Sequence, residues 1–281
     1  MPAMPPPIVD AEWIDAHREL PIVWCDVRST MASATPRADF DREHLPGTVF
    51  VSLEDDLSAP AGPVVGRHPL PTASDFAATL DRLGIGDDDV VLAFDDRRGA
   101  FAARLVWMLR TLGHPAALAD LVNESQLSAA IGSRDRKETP TGRAGRAVRD
   151  WPAEAVADAD RVVAHIDTGG VVVDSREGAR YAGEVEPIDA VAGHVPGAVN
   201  VPFAGNIGDD GHFLAPDELA ARFAAAGADG DAIVYCGSGV TACHNALAIE
   251  YAGRGRPAVY VGSWSGWSTD PTRPVATGPE P

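Results

Sequence analysis

The string Tyr235-Cys236-Gly237-Ser238-Gly239-Val240-Thr241 sets a thiol and a hydroxyl among glycines directly after a short apolar run, Asp231 to Tyr235. The run reads as a buried strand, and the long apolar stretch from Val240 onward reads as a helix. The cysteine therefore stands at the carboxyl end of a strand, the edge at which open α/β sheets bind ligands. Glycine at 237 and 239 relieves the steric limits on φ. The loop can then curl with backbone N–H groups turned toward the sulfur, at the positive end of the following helix. A thiol titrates near ~8.5 when free and between about 3.5 and 7.5 in such surroundings, so a nucleophilic thiolate is abundant at neutral pH. The chemistry on offer is attack by sulfur. The competing reading, a structural cysteine at a strand end, is the one given to Cys25 in Ile22 to Ser29, where no glycines follow.

The elements that must position this loop occur twice, about 150 residues apart. The first copy runs IVWCDVRS (22–29) and DFDREHLPGTVFVSL (39–53); the second runs VVVDSREGARY (171–181) and AGHVPGAVNVPF (192–203). Each reads as a strand, a polar turn, an H-x-P-G turn and a second strand. Amphipathic helices follow at 75–85 and 217–228, then strands at 89–95 and 231–236, then long apolar helices. Short buried strands alternating with helices predict a mostly parallel sheet covered on both faces, twice over: an α/β fold of two tandem domains. The charged, Gly- and Arg-rich stretch near 132–150 lacks hydrophobic periodicity, so the reading is a domain at 1–131, a linker at 132–152 and a second domain at 153–281.

Composition narrows the function. The net charge of -18, from 41 acidic and 23 basic residues, repels a phosphate backbone and disfavours nucleic acid as a partner. No apolar run approaches the roughly 20 residues of a membrane span, and residues 1–7 lack the features of a secretory signal, so a cytoplasmic protein is expected. Three cysteines make no disulfide framework and no zinc spacing, and no nucleotide-binding loop is spelled, so neither metal nor organic cofactor is expected.

With the repeat, the paired H-x-P-G turns and CGSGVTA (236–242) in the second copy alone, nearly the whole chain resembles the tandem rhodanese-type sulfurtransferases, comprising 3-mercaptopyruvate and thiosulfate enzymes. The resemblance implies two rhodanese-like domains and a cycle in which Cys236 takes a sulfane sulfur as a persulfide. Glutathione, a thioredoxin-like protein or cyanide would accept it. The loop is similar to that of the mercaptopyruvate branch, since thiosulfate enzymes carry basic residues where this chain has Gly237 and Ser238. It implies a proton relay through Ser238 with Glu54 and His68 contributed by the first domain, Asp55 being the alternative to Glu54. The donor would be bound by Arg180 together with Gly237, Gly239, Val240 and Thr241.

Without the resemblance, His68 reads as an exposed loop histidine and Arg67 as a surface charge. Arg176 reads as one half of a structural ion pair, and His44 and His194 as turn residues bonded to nearby backbone. Cys243 falls on the helix, packed as a small soft residue or placed to trap the persulfide as a disulfide. Asp95 occupies the position of Cys236 in the first copy and cannot carry sulfur, which makes that copy a non-catalytic scaffold. Two departures stand out. Ile188 and Asp189 replace a second arginine of the mercaptopyruvate branch, which argues against that donor, and residues 119–132 lack the usual turn, predicting a looser end to the first domain. Two other functions remain in play: a cysteine phosphatase, disfavoured because Thr241 stands near where its loop arginine is needed, and a non-catalytic persulfide carrier.

Overall fold

A computed structural model describes residues 2–132 and 147–281. The chain forms two compact units, one from Met1–Ala59 with Pro71–Trp151, the other from Pro60–Leu70 with Pro152–Pro281. Most of the linker expected at 132–152 lies outside the described residues.

The first unit runs β1 (Ile8–Val9), α1 (Ala11–Ala16), β2 (Ile22–Arg28), α2 (Pro36–Arg42), β3 (Thr48–Ser52), α3 (Ala73–Arg82), β4 (Val90–Phe94), α4 (Ala102–Thr111), β5 (Ala116–Ala119), α5 (Glu124–Gly132). The second repeats it: β6 (Val156–Ala157), α6 (Ala159–Asp167), β7 (Val172–Asp174), α7 (Gly178–Tyr181), β8 (Val199–Asn200), α8 (Pro216–Ala225), β9 (Ile233–Tyr235), α9 (Thr241–Tyr251), β10 (Ala258–Tyr260), α10 (Ser263–Trp267). Each unit holds one parallel five-stranded sheet, ordered β1-β5-β4-β2-β3 and β6-β10-β9-β7-β8. In the second sheet β7 leads outward to β8 on one side, while β9 leads to β10 on the other. The crevice at such a reversal, at the strands' carboxyl ends, lies between β7 and β9.

Local sequence explains the elements. Thr72 caps α3 by accepting from the Asp75 N–H, and Phe76, Ala77 and Leu80 form its buried face. Asp158 caps α6 in the same way, and α8 begins at Pro216, where a missing N–H costs nothing. α4 and α9 have no side-chain cap. They are held instead by burial, with every residue of Ala102–Arg110 and Ala242–Ile249 inside. Aspartate and arginine two apart pair at the end of β2 and β7: Arg28 grips Asp26, and the fully buried Arg176 grips Asp174 through Nε at 3.0 Å while donating to the Gly193 carbonyl at 2.7 Å. In both H-x-P-G turns the histidine stacks on an aromatic ring and its Nδ1 meets that residue's carbonyl, His44 on Phe40 and His194 on Tyr181.

Two sequence expectations need correction. Residues 119–132 hold an ordered helix, α5, whose Leu127, Ala130 and Ile131 pack into the first unit's core with Trp24, Leu92 and Phe94. Apolar spacing in place of the expected turn motif is what anchors it. Pro60–Leu70, read as part of the first domain, belongs to the second unit because its turn seats on α10. The Arg67 N–H donates to Ser265 Oγ at 3.1 Å and the Val64 N–H to Thr269 Oγ1 at 3.0 Å. A side chain on Gly66 would lie 2.5 Å from the Gly262 carbonyl, and one on Gly266 would collide with the Val64 carbonyl, so both positions need glycine.

Candidate active site

Cys236 directly follows β9, the middle strand of the second sheet, and is buried, 2% exposed. Its N–H donates to Ser263 Oγ (3.2 Å), its carbonyl accepts from the Trp264 N–H (2.9 Å), and the Gly237 carbonyl accepts from the Ser265 N–H (2.9 Å). The loop is thus stitched to the first turn of α10. Ser263 adopts φ +53 there, a left-handed conformation costly for a non-glycine residue, and is held in it by donating to the Tyr260 carbonyl at 2.8 Å. Gly239 sits at φ +77, where a Cβ would lie 2.5 Å from the Val261 carbonyl, and its N–H points at Cys236 Sγ from 3.2 Å. α9 begins two residues later, so the sulfur faces a backbone donor close to a helix's positive end. Gly237 keeps an ordinary φ. It matters for a different reason: a Cβ there would sit 3.1 Å from Arg67 Nη2 and 3.5 Å from the Arg180 guanidinium.

Ser238, also buried, places Oγ 2.9 Å from His68 Nδ1. The structure therefore brings together a thiol, a hydroxyl and an imidazole from two segments 170 residues apart. Arg180, from α7, donates to Glu186 through Nη2 at 2.7 Å and Nε at 3.2 Å and approaches Asp189 at 3.5 Å. Asp189 is in turn ion-paired with Arg67. Burial raises the Glu186 carboxyl, but the hydrogen bond from Arg180 and the N–H groups of Asp189 and Ile188 more than offset it and hold the group below the usual carboxylate range. Arg176 lies one layer deeper, against Asp174, Glu186 and the Trp264 ring.

Val240 and Thr241 form the entry to α9, Val240 buried and Thr241 half-buried. Glu54 makes its contacts within the first unit, where Oε1 accepts from Ser29 Oγ (2.6 Å), Thr30 N–H (3.0 Å) and Thr30 Oγ1 (2.9 Å). Asp55 accepts from Ser52 Oγ at 3.1 Å in the same unit. Cys25 is fully buried, and burial, helped by the charges of Asp26 and Asp56, pushes its thiol far above the normal range, which makes it inert. Cys243 lies on α9 with Sγ 3.4 Å from the Gly239 carbonyl. Sequence reasoning missed Arg67 and Asp189 as neighbours of the loop. The only signal was negative: Asp189 stood where an arginine was expected.

A cysteine at the reversal of a parallel sheet, in a loop whose counterpart in a second copy lacks it, defines a class: tandem α/β proteins with one cysteine loop. Residues 158–270 match the rhodanese-like domain. The chain is 44% identical over 244 residues to a probable 3-mercaptopyruvate sulfurtransferase of Pseudomonas aeruginosa, covering 85% of this chain and 86% of that one. It is 38% identical over 265 residues to a putative thiosulfate sulfurtransferase of Mycobacterium tuberculosis, covering 92% of each. Among solved structures, the 3-mercaptopyruvate sulfurtransferase from Leishmania major superposes with a TM-score of 0.78 at 27% identity, over 95% of this chain and 76% of that one. The chain belongs to the tandem rhodanese family of sulfurtransferases, and it is an enzyme of sulfur transfer. Among the described residues no helix is long and apolar enough to cross a membrane.

Proposed function

We propose that the chain moves a sulfane sulfur from 3-mercaptopyruvate through a persulfide on Cys236 to a thiol or cyanide. The donor's carboxylate is held by Arg180, whose guanidinium offers a two-pronged fork. The Cys236 thiolate attacks the donor's sulfur, a new S–S bond forms, and the carbon–sulfur bond breaks with its electron pair left on carbon as an enolate. That carbanion equivalent takes one proton to become pyruvate. Ser238 Oγ supplies the proton and His68 supports the hydroxyl, while the Gly239 N–H and the start of α9 stabilise the charged sulfur. A thiol acceptor such as glutathione or a thioredoxin-like protein, or cyanide, then attacks the outer sulfur and returns Cys236 as thiolate. A reducing, cytoplasmic setting suits this cycle, since none of the three cysteines is held in a disulfide.

The observation that carries the donor assignment is the Ser238–His68 contact at 2.9 Å beside the cysteine. Thiosulfate leaves sulfite and needs no proton on carbon, so a hydroxyl–imidazole pair serves a carbon-bound leaving group. Steady-state transfer to cyanide from each donor tests this. Mercaptopyruvate is expected to be preferred, and Ser238→Ala is expected to lower kcat for mercaptopyruvate about 10²-fold while sparing thiosulfate. Equal losses with both donors, or a preference for thiosulfate, would overturn the assignment.

A further inference from the structure

Two guanidinium groups, not one, converge on the backbone of the cysteine loop. Measured from the point where a side chain on Gly237 would begin, Arg67 Nη2 lies at 3.1 Å and Arg180 Nη1 and Nη2 at 3.5 Å. They reach it from separate segments of the unit, Arg67 from the turn seated on α10 and Arg180 from α7. The carboxylate they share is that of Asp189, ion-paired with Arg67 and 3.5 Å from Arg180 Nη2. Glu186 is committed elsewhere: it holds Arg180 at 2.7 Å and Arg176 at 3.3 Å, and its Oε1 accepts the N–H groups of Ile188 and Asp189 at 3.1 Å. Asp189 has the weaker hold on Arg180 and rides on a turn whose neighbour, Ile188, is half exposed.

We propose that Arg67 and Arg180 together form the donor's anion site, and that Asp189 is a tethered carboxylate which occupies Arg67 until a donor carboxylate displaces it and which selects a singly charged donor over a dianion. The proposal rests on the donor-binding role given to Arg180 above. A buried ion pair recovers its desolvation cost only with good geometry and satisfied neighbours. Here burial pushes the Asp189 carboxyl above the usual range despite the attraction of Arg67 and Arg180, with Glu186 adding to the rise, so the pair does not fully offset the burial of its carboxylate. A monoanion replaces Asp189 charge for charge. Thiosulfate brings two negative charges where Asp189 gives up one, beside the charge of Glu186 that stays on Arg180.

Donor preference with Asp189→Asn, Arg67→Met and the double variant tests the idea. Asp189→Asn keeps the side chain's size and removes its charge; it is expected to raise kcat/KM for thiosulfate relative to mercaptopyruvate by about 10-fold, mostly through KM. Arg67→Met is expected to raise KM for mercaptopyruvate about 10-fold, the worth of one charge-assisted hydrogen bond, with kcat nearly unchanged. In the double variant the gain from Asp189→Asn should vanish, because its beneficiary is gone. Thiosulfate binding by calorimetry to Cys236→Ser protein, which cannot turn over, reads the same site without sulfur transfer; there Asp189→Asn is expected to tighten binding about 10-fold. An unchanged donor ratio and unchanged affinity for Asp189→Asn, or a gain that survives Arg67→Met, would overturn the proposal. If mercaptopyruvate proved not to be the preferred donor while the affinity changes held, only the donor assignment would fall.

Discussion

The loop after β4 and the loop after β9 hold the same place in two copies of one architecture, each following the middle strand of a parallel sheet and leading into a buried helix. In the first, the half-buried Asp95 carboxylate accepts the N–H groups of Arg97 (2.7 Å), Gly99 (2.8 Å), Phe101 (2.7 Å) and Ala102 (2.8 Å). In the second, Cys236 Sγ faces the Gly239 N–H at 3.2 Å. Three positions beyond each of these side chains the backbone turns left-handed, at Arg98 with φ +58 and at Gly239 with φ +77. The comparison teaches that the loop after the middle strand is a cradle for negative charge in both units. The first offers it to the Asp95 carboxyl, which burial raises and the four N–H groups lower, whereas the second offers it to the Cys236 sulfur. The partners differ too: Ser238, His68, Arg180 and Arg67 surround the second cradle, and the residues following Asp95 are Asp96, Arg97 and Arg98.

The largest break in the comparison comes from exchanging the strand-end residues. Cys236→Ser is expected to cut sulfur transfer roughly 10³-fold or more, and adding Asp95→Cys to that variant is expected to restore none of it, because a thiol without the hydroxyl, imidazole and guanidinium groups lacks a site. Thiocyanate production in the presence of cyanide checks both. Next, Asp95→Ala leaves four backbone N–H groups without their acceptor, those of Gly99, Phe101 and Ala102 on buried residues, and should cost the first unit about 2–4 kcal/mol, read from the denaturant midpoint. Gly239→Ala forces a Cβ against the Val261 carbonyl at a left-handed position; a loss of about 10- to 100-fold in kcat/KM is expected, with a stability loss of roughly 1–3 kcal/mol. A smaller effect is expected from acid. Glu186 has its carboxyl held low in the folded chain, so its contribution to stability is complete above the ordinary carboxylate range and is lost as pH falls through the depressed value. Glu186→Gln should therefore flatten the acid limb of the second unit's stability profile.

Much of this was legible in the sequence, and for identifiable reasons. The sheet strands at β2, β4 and β9 and the helices α3, α4, α8 and α9 announce themselves by apolar runs and periodicity, and a repeat counts every feature twice. Cys236, Gly239 and Ser238 were visible because a strand-end cysteine crowded by glycine has few structural uses. The short elements α1, α2, α7, β1 and β6 escaped, since two to seven residues carry too little pattern. Arg67 escaped for another reason. Its place is set by Gly66, Gly262 and Gly266, which let one backbone press on another across some 200 residues of chain, a relation that no local spacing encodes. Asp189 could be seen only as a missing arginine; that it pairs with a different arginine required the fold.

The central claim is that one cysteine of three carries the sulfur. Mass analysis of the protein after brief incubation with 3-mercaptopyruvate and no acceptor, followed by peptide mapping under non-reducing conditions, tests it most directly. The account predicts one added sulfur atom, on the peptide containing Cys236, removed by cyanide and absent from Cys236→Ser. Sulfur found on Cys25 or Cys243 instead, or none retained on Cys236, would contradict it.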